Sequence, residues 1–285
     1  MTDSDVARVA VYIDFDNIVI SRYDQIHGRN SFQRDKAAGF HKKPGRLAEA
    51  RIDLGAIIDF ASSFGTLVLT RAYADWSADV NADYRDQLVA RAVDLVQLFP
   101  AAAYGKNGAD IRLAVDAVED MFRLPDLTHV VIVAGDSDYI PLAQRCKRLG
   151  RYVVGIGITG SISRSLTAAC DEYVSYDALP GVTPAQPAPK RRRTKADADE
   201  EPEAPDPQAA ATALLERALR IGHEKDDADW LHNSAVKAQM KRMDPSFSER
   251  SLGFRSFSDF LRSRGDLVEL DESSTTRMVR LRSDE

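Results

Sequence analysis

The sequence has little cysteine and no long apolar run, and these features argue against a disulfide-bonded protein and a membrane-spanning one. Its two cysteines, Cys146 and Cys170, are not spaced as a CxxC pair, so we interpret them as buried structural thiols in a reducing compartment. No stretch approaches the roughly 18 apolar residues that span a bilayer, so no membrane partner is expected. The polar start MTDSDVARVA lacks the apolar region of a secretory signal, and we expect a cytoplasmic protein.

Several catalytic signatures are also missing. The five histidines lie outside the strand ends considered below, so no zinc site is predicted. No glycine-rich phosphate loop is evident, because Gly155 and Gly157 belong to a predicted strand edge, and no Ser-His-Asp order is apparent. The net charge of −6 neither supports nor excludes a nucleic-acid partner, since the local arrangement of charge decides that.

A segment rich in proline, alanine and blocks of like charge divides the chain. Residues 180–208 show no apolar period that would bury a face, which predicts a flexible linker. The linker separates a domain at about 1–179 from a smaller one at 209–285. Its basic run at 190–195 is interpreted as a nuclear address, a nucleic-acid tether or a solvated charge run balanced by the acidic block after it.

Short apolar runs alternate with helical patterns in the first domain. The runs are rich in β-branched residues and typical of buried strands: VAVYID (9–14), TLVLTRAYA (66–74), VQLFPAAAYG (96–105), VVIVAG (130–135) and YVVGIGI (152–158). Helices are predicted at about 47–64, 81–97, 108–123, 138–149 and 163–171. This alternation predicts an α/β fold with a mainly parallel sheet covered on both faces, and ligands beyond the carboxyl ends of its strands.

The helical pattern at 108–123 separates apolar from acidic residues. Its apolar residues recur at helical spacing and its carboxylates lie on the other side: Ile111, Val115, Val118 and Phe122 against Asp116, Glu119 and Asp120. Such a division is typical of an amphipathic helix that turns its apolar side toward a core.

Four segments bring carboxylates to one edge of the predicted sheet. Asp14 ends the first strand, Asp75 follows the second, Asp110 opens the helix after the third, and GDSD (135–138) follows the fourth. Taken alone, each has an innocent alternative at a helix N-terminus, and Asp138 can serve both as a cap of the helix that starts there and as a cation ligand. As a set they repel one another without a counter-ion, and their oxygens suit Mg²⁺ or Mn²⁺. The set points to metal-assisted attack of water on a phosphodiester.

These motifs resemble the NYN domain, a branch of the PIN-like nucleases. YIDFDN, the lone aspartate after the second strand, KNGAD and VAGDSDYIPL occur in the family's order across most of 8–176. The resemblance implies a Rossmann-like α/β/α fold and a ribonuclease that uses Mg²⁺ or Mn²⁺. Its acidic site falls on the following residues, expected to be catalytic and metal-binding: Asp14, Asp110, Asp136 and Asp138. The last of these would orient the attacking water or hold a second ion.

Four further residues take supporting positions in the same resemblance: Asn17, Asp75, Ser137 and Lys106. Asp75 matches through a short and variable signature. Lys106 is a candidate contact to the scissile phosphate, and the alternative is a lysine exposed in a turn.

Residues 27–50 depart from the family pattern. This long polar segment contains glycines and a set of basic side chains: Arg29, Arg34, Lys36, Lys42, Lys43 and Arg46. Phosphate contacts come from such mixed loops, which predicts a flap that grips RNA. The alternative is a mobile surface insertion.

The second domain is predicted to contain three helices and a β-hairpin. The first helix spans 209–221 and is expected to stop at Gly222, and the second ends at Pro245. In the third, Phe254, Phe257 and Phe260 share one helical face and are interpreted as core. The tail reads as two short strands around a polar turn.

The run SFSERSLGFRSFSDFLRS in this domain resembles the OST-HTH or LOTUS domain, a winged helix-turn-helix-like module. The resemblance implies binding of single-stranded or structured RNA, or docking of a protein partner. Basic side chains provide a candidate surface for phosphate: Lys237, Lys241, Arg242, Arg250, Arg255, Arg262 and Arg264.

Three functions compete at this point. The favoured one is an endoribonuclease that cuts single-stranded RNA and carries a tethered RNA-binding module. The second is a nuclease-inactive RNA-binding or adaptor protein that retains the acidic pocket. The third is a phosphatase of the haloacid dehalogenase type with Asp14 as covalent nucleophile. It is disfavoured by Ile18, where that family has Thr or Val, and by the tight spacing of GDSD.

Overall fold

A computed structural model of the chain describes these residues: 6–43, 45–99, 108–185, 206–226, 228–271 and 277–282. The chain divides into two units, Met1–Arg191 and Arg192–Glu285. Most of the predicted linker, from 186 to 205, lies outside the described residues, as does Lys106.

A six-stranded parallel sheet forms the centre of the first unit. Its strands are β1 (Arg8–Asp14), β2 (Thr66–Ala74), β3 (Asp94–Gln97), β4 (His129–Val133), β5 (Tyr152–Gly157) and β6 (Glu172–Ser175). They lie in the order β3-β2-β1-β4-β5-β6, and every neighbouring pair is parallel. The strand order reverses between β1 and β4, so their carboxyl ends flank the crevice where open α/β sheets bind ligands.

Helices cover both faces of this sheet. They are α1 (Phe15–His27), α2 (Ser31–Ala38), α3 (Arg46–Glu49), α4 (Leu54–Ser62), α5 (Asp79–Ala82), α6 (Arg85–Val89), α7 (Ala109–Arg123), α8 (Ile140–Arg148) and α9 (Arg164–Ala169). Alternate residues of β1 enter the two cores, since Val11 and Ile13 pack with α1 and α4, whereas Ala10 and Tyr12 pack with α7 and α8. The predicted α/β fold with a parallel sheet is confirmed.

The region between β2 and α7 differs from the prediction. The helix expected at 81–97 is replaced by the short helices α5 and α6, and β3 begins at Asp94, inside that range. Ala92 has a φ of 55°, in the left-handed region, and this ends the helical path just before β3. The strand expected at 96–105 ends at Gln97 within the described part, and its residues from 100 onward lie outside that part.

Three elements of the first unit, within the described residues, have no counterpart in the prediction: α1, α2 and β6. In α1 the buried Arg22 interrupts the apolar pattern, because its guanidinium pairs with Asp177 at 2.6 Å. The strand β6 is four residues long, too short for a clear alternation. The failure at α1 thus comes from a partner distant in sequence, which a local pattern does not contain, and the failure at β6 comes from its short length.

Residues 27–50 form a packed helical insertion and not the loop predicted from their composition. Phe32 and Phe40 contact the ring of Tyr23, with centroids 5.5 and 5.8 Å away. Asp35 is buried and accepts hydrogen bonds from the Tyr23 hydroxyl at 2.7 Å and from Lys43 at 2.5 Å. The guanidinium of Arg46 pairs with the same carboxylate. An aromatic cluster over a neutralised carboxylate therefore fixes the insertion to α1.

The helix α7 turns two of its carboxylates, Asp116 and Asp120, toward the sheet. Asp116 and Asp120 are buried and accept hydrogen bonds from the hydroxyls of Tyr73 and Tyr12, each at 3.0 Å. The guanidinium of Arg71 pairs with Asp120 at 2.5 Å. These partners offset the cost of removing charged groups from water, which makes the acidic face a stable inner face.

The apolar stripe of α7 consequently faces outward. Ile111, Val115 and Phe122 are 68%, 57% and 71% exposed. The helix was predicted correctly, but the side expected to face the core was wrong. The sequence pattern misled because the tyrosine and arginine partners belong to β1 and β2, far from α7 in the chain.

Asp120→Ala is expected to lower the free energy of unfolding by about 3 kcal/mol, because it leaves the Arg71 guanidinium and the Tyr12 hydroxyl without their buried acceptor. Urea unfolding of the full chain measures the loss. The control is Glu119→Ala, which removes an exposed pair with Arg123 and should cost less than about 0.5 kcal/mol. Equal losses in the two variants would contradict this account of the inner face.

Three helices and a three-stranded antiparallel sheet form the second unit. They are α10 (Pro207–Asp226), α11 (Asn233–Met243), α12 (Phe257–Arg262), β7 (Leu231–His232), β8 (Val268–Asp271) and β9 (Met278–Leu281). The sheet order is β7-β9-β8. Phe257 and Phe260 are buried and Phe254 packs against them, which confirms the predicted core.

The prediction that Gly222 ends the first helix of this unit is wrong. Helix α10 continues through it to Asp226. A Cβ at Gly222 would lie 2.4 Å from the end of the Leu231 side chain, so glycine lets β7 pack close to the helix without a shift of that leucine. The glycine marks a contact and not a helix end.

Both cysteines are free and buried, as predicted. Burial raises the pKa of the Cys146 and Cys170 thiols to about 12, so neither carries thiolate reactivity at neutral pH. No helix within the described ranges is both long enough and apolar enough to cross a membrane.

Candidate active site at the carboxyl edge of the sheet

Asp14 is a buried carboxylate at the end of β1. Its Oδ1 accepts a hydrogen bond from the backbone N–H of Asn17 at 3.2 Å, which caps α1. Its Oδ2 accepts one from the Tyr139 hydroxyl at 2.7 Å. Burial raises the pKa of Asp14 to about 6 against the lowering effect of both hydrogen bonds, and the charges of Asp16 and Asp110 add to the rise. A carboxyl group in this setting favours a nearby cation.

Asp110 and Asp136 bring two further carboxylates toward Asp14. Asp110 is half-buried in the first turn of α7, and Asp136 is exposed just after β4. Burial and then Asp14 are the main causes that raise the pKa of the Tyr139 hydroxyl, and Asp110 and Asp136 both add to them. The three carboxylates therefore lie within electrostatic reach of one hydroxyl. We call these three aspartates the carboxylate group.

The GDSD turn is held in place from two sides. The backbone N–H of Gly135 donates to Asn17 Oδ1 at 3.3 Å, which joins the end of β4 to α1. Asp136 Oδ1 accepts from the backbone N–H of Asp138 at 3.2 Å and from the Ser137 hydroxyl at 3.4 Å. Asp136 is thus the cap of the following 3-10 turn, a role expected for Asp138, whose side chain is exposed. The expectation failed because the helical path starts one residue earlier.

Asp75 belongs to a second polar cluster, on the β2 side of the edge. Its Oδ1 accepts hydrogen bonds from the Ser77 hydroxyl at 2.5 Å and from the Gln97 amide at 3.0 Å. Its backbone N–H donates to Asp16 Oδ2 at 3.3 Å, and Asn81 donates to Asp16 Oδ1 at 2.6 Å. The Ser77 hydrogen bond is the largest cause that holds the pKa of Asp75 below its ordinary value. These hydrogen bonds stabilise the β2 side of the edge, and none of them is made to a residue of the carboxylate group.

Among the basic residues of the insertion, Lys36 lies near this edge. Burial raises the pKa of Asp16, and the Lys36 charge is among the causes that oppose the rise. Lys36 also helps to lower the pKa of Asp75, behind the larger effect of Ser77. Lys36 therefore has a positive charge within electrostatic reach of the second polar cluster.

The other basic residues of 27–50 have different surroundings. Lys43 and Arg46 are held by the buried carboxylate already described. Arg34 donates to the Ser31 hydroxyl at 2.7 Å, and Arg29 and Lys42 are exposed. Contact of these residues with RNA stays a prediction.

The basic residues predicted in the second unit also separate into two sets. Lys237 pairs with Glu249 at 2.6 Å, and the Arg264 guanidinium lies over the Phe260 ring at 5.1 Å. Arg262 pairs with its helical neighbour Asp259. The remaining set comprises three exposed arginines and one half-buried lysine: Arg242, Arg250, Arg255 and Lys241.

The donor chemistry of the carboxylate group suits a hard divalent cation. Mg²⁺ and Mn²⁺ take oxygen ligands, and a positive charge beside Asp14 would offset the burial that raises the pKa of this carboxyl group. Within the part of the chain that the structure covers, no three His, Cys, Asp or Glu side chains are gathered as a ready ligand set. The case for a metal at this edge therefore rests on the oxygen chemistry of the three donors and on the burial of Asp14, since Asp110 is half-buried and Asp136 is exposed.

Tyr139 is the site residue that the sequence analysis did not identify. Its hydroxyl contacts Asp14 from the β4 side of the switch point, 125 positions along the chain. A signal was present in VAGDSDYIPL, because a tyrosine at a buried position of a helix start needs a hydrogen-bond partner. The partner itself was not predictable before the strand order was known.

Family models match both units of the chain. The NYN domain model matches residues 8–177, and the OST-HTH/LOTUS domain model matches residues 203–280. An uncharacterized protein of Methanocaldococcus jannaschii is 31% identical over 127 residues, which are 44% of this chain and 48% of that protein. The chain therefore matches about half the length of this relative.

Two solved structures are similar in part. A crystal structure of a protein of unknown function from Vibrio parahaemolyticus has 20% identity and a TM-score of 0.42, and the match covers 62% of this chain and 98% of the other. A solution NMR structure of an uncharacterized protein from Nitrosomonas europaea has 23% identity and a TM-score of 0.22, covering 34% and 95%. At these low scores neither carries an argument about function.

Proposed function

This chain belongs to the NYN domain family, with an OST-HTH/LOTUS domain after it, and from this premise we propose that it is a divalent-metal-dependent endoribonuclease of single-stranded RNA. The two families together support a nuclease with an RNA-binding module. The observation that carries the finer proposal is the position of Asp14 and Asp136, which follow the two strands at the switch point of the sheet. Ligands of open α/β sheets bind there.

The carboxylate group is proposed to hold Mg²⁺ or Mn²⁺. When bound, such an ion supplies a Lewis acid for the phosphate and a water of lowered pKa. Tyr139 fixes the orientation of Asp14 through its hydroxyl, as outer partners of metal ligands do. Asn17 keeps the ends of β1 and β4 together. Asp138 is exposed next to Asp136 and is proposed to orient the attacking water or hold a second ion.

The RNA is proposed to lie across the carboxyl edge of the sheet. Lys36 supplies a cation on the β2 side, and the exposed Arg29 and Lys42 extend the basic surface over the insertion. In the second unit, two of the three exposed arginines, Arg242 and Arg255, are proposed with Lys241 to add contacts to phosphate. A tethered second contact raises the effective concentration of RNA at the first unit.

A panel of substrates separates this proposal from its alternatives. Labelled single-stranded RNA, duplex DNA and a small phosphomonoester are incubated with the full chain in Mn²⁺, in Mg²⁺ and in EDTA. The proposal expects internal cleavage of RNA alone, and only with metal. RNA binding without cleavage under any condition would overturn the proposal and favour an adaptor. Hydrolysis of the phosphomonoester would favour the phosphatase, although both Asp14 oxygens already accept hydrogen bonds.

Lys36→Ala is expected to weaken the binding of single-stranded RNA about fivefold and to reduce the salt dependence of binding by about 0.7 in the logarithmic slope. The reason is the loss of one phosphate contact beside the site. Fluorescence anisotropy in EDTA at several salt concentrations measures both quantities. Arg148→Ala, an exposed charge in the last turn of α8, is the matched control and should change neither. A salt slope unchanged by Lys36→Ala would remove this lysine from the interface.

A further inference from the structure

An apolar seam on α7 faces solvent. It consists of four residues in order: Ile111, Val115, Val118 and Phe122, which we call the α7 seam. Three of them are more than half exposed, and Val118 is half-buried. Their spacing of four, three and four residues is the repeat by which one helix packs along another. Scattered apolar residues are ordinary on a surface, but a contiguous seam marks an interaction site.

A groove runs along the seam, between α7 and α8. Its volume is about 660 Å³, and Ala114 and Val118 line one side while Pro141 and Leu142 line the other. Its lining, as far as the structure covers it, contains aliphatic side chains and charged groups but no aromatic ring. Nucleobases are usually held on several aromatic rings, whereas this surface carries one exposed ring, Phe122, beside aliphatic side chains, so it is better suited to a helix than to RNA.

The α7 seam is complementary to itself. When a second α7 runs antiparallel to the first, the first residue of the seam meets the last, and the two valines meet each other. The same register places Asp110 of one copy opposite Arg123 of the other, so opposite charges face each other at both ends. A parallel pair would instead place like charges together. Self-complementarity of this kind is the property of a two-fold interface.

We propose that the chain forms a dimer through the α7 seam, with the two α7 helices antiparallel about a two-fold axis. Arg123 is free to take part, because its pair with Glu119 is largely exposed and weakly held. Since Asp110 belongs to the carboxylate group, the dimer places Arg123 of the second copy beside each candidate active site. The proposal does not depend on nuclease activity.

Sedimentation equilibrium of the full chain tests the dimer. Wild type is expected to be dimeric at micromolar concentrations. Ile111→Lys and Phe122→Glu alter the most exposed seam residues, so each is expected to raise the dissociation constant about tenfold or more while leaving the fold intact. The double variant is expected to recover the dimer, because the antiparallel register places each new lysine opposite a new glutamate.

Val89→Lys is the matched control for these variants. Val89 lies on α6 and is 62% exposed, so it resembles the seam residues in exposure but lies outside the seam. This variant should keep the wild-type mass. A wild type that is monomeric at every concentration overturns the proposal, as does a dimer that both single variants leave intact. If each single variant weakens the dimer and the double variant does not restore it, the antiparallel register is wrong. If the seam variants weaken RNA binding and leave the dimer unchanged, the surface is assigned to RNA.

Discussion

Asp14→Asn is expected to slow the cleavage of single-stranded RNA in Mn²⁺ by about a thousandfold or more, because metal assistance is worth several kcal/mol in the transition state. The substitution removes the charge of the buried carboxylate that ends β1. The amide oxygen of the new side chain still accepts a hydrogen bond from the Tyr139 hydroxyl or from the backbone N–H of Asn17, so the fold is expected to persist. Single-turnover rates with labelled RNA measure the effect.

The controls for this variant separate chemistry from binding and folding. Asp59→Asn changes an exposed carboxylate on α4, outside the carboxylate group, and should keep the wild-type rate. RNA affinity in EDTA should be nearly the same for wild type and Asp14→Asn, because the lost interaction acts in the transition state. A rate within about tenfold of wild type would contradict the role assigned to Asp14.

Metal-free wild type is expected to lose stability relative to Asp14→Asn as the pH rises from about 4 to about 7. Burial raises the pKa of Asp14 in the folded chain to about 6, above the ordinary value of 3.8. The folded state therefore holds this proton more tightly than the unfolded state. Such a group favours folding below its unfolded pKa, and the contribution is lost as the pH rises through the folded pKa. Over this range of pH, the free energy of unfolding of wild type is expected to fall by about 3 kcal/mol relative to that of Asp14→Asn.

Urea unfolding of both proteins in EDTA, across this range of pH, measures the difference. Asp14→Asn is expected to be the more stable protein near neutral pH and to lose that advantage in acid. Other carboxyl groups with lowered pKa values, such as Asp75 and Asp177, titrate in both proteins and cancel in the comparison. A difference in the free energy of unfolding that does not vary with pH would contradict the burial argument for Asp14.

The strands that carry the site were predictable because their signal is local. VAVYID and VVIVAG are continuous apolar runs, and parallel strands place their carboxyl ends at one edge whatever their order. This rule was enough to bring Asp14 and Asp136 together in the prediction. The order of the strands, which makes β1 and β4 neighbours, came only from the structure.

Partners distant in sequence account for what the pattern did not predict. The hydroxyls of Tyr12 and Tyr73 reverse the inner face of α7, and Asp35 anchors an insertion whose composition is that of a loop. Asp75 follows β2 as predicted, but Gln97, 22 positions away, and the nearby Ser77 bind its carboxylate in the second polar cluster. Each case turns on polar contacts that the local apolar pattern does not encode.

The central claim is that the carboxylate group binds a divalent cation, and calorimetric titration of Mn²⁺ into the full chain at neutral pH tests it most directly. Wild type and the control Asp59→Asn are predicted to bind alike. Asp14→Asn is predicted to bind about a hundredfold more weakly, since even outer partners of metal ligands are worth about ten- to a hundredfold in affinity. Equal binding of Mn²⁺ by wild type and Asp14→Asn, or no binding by wild type, would contradict the claim.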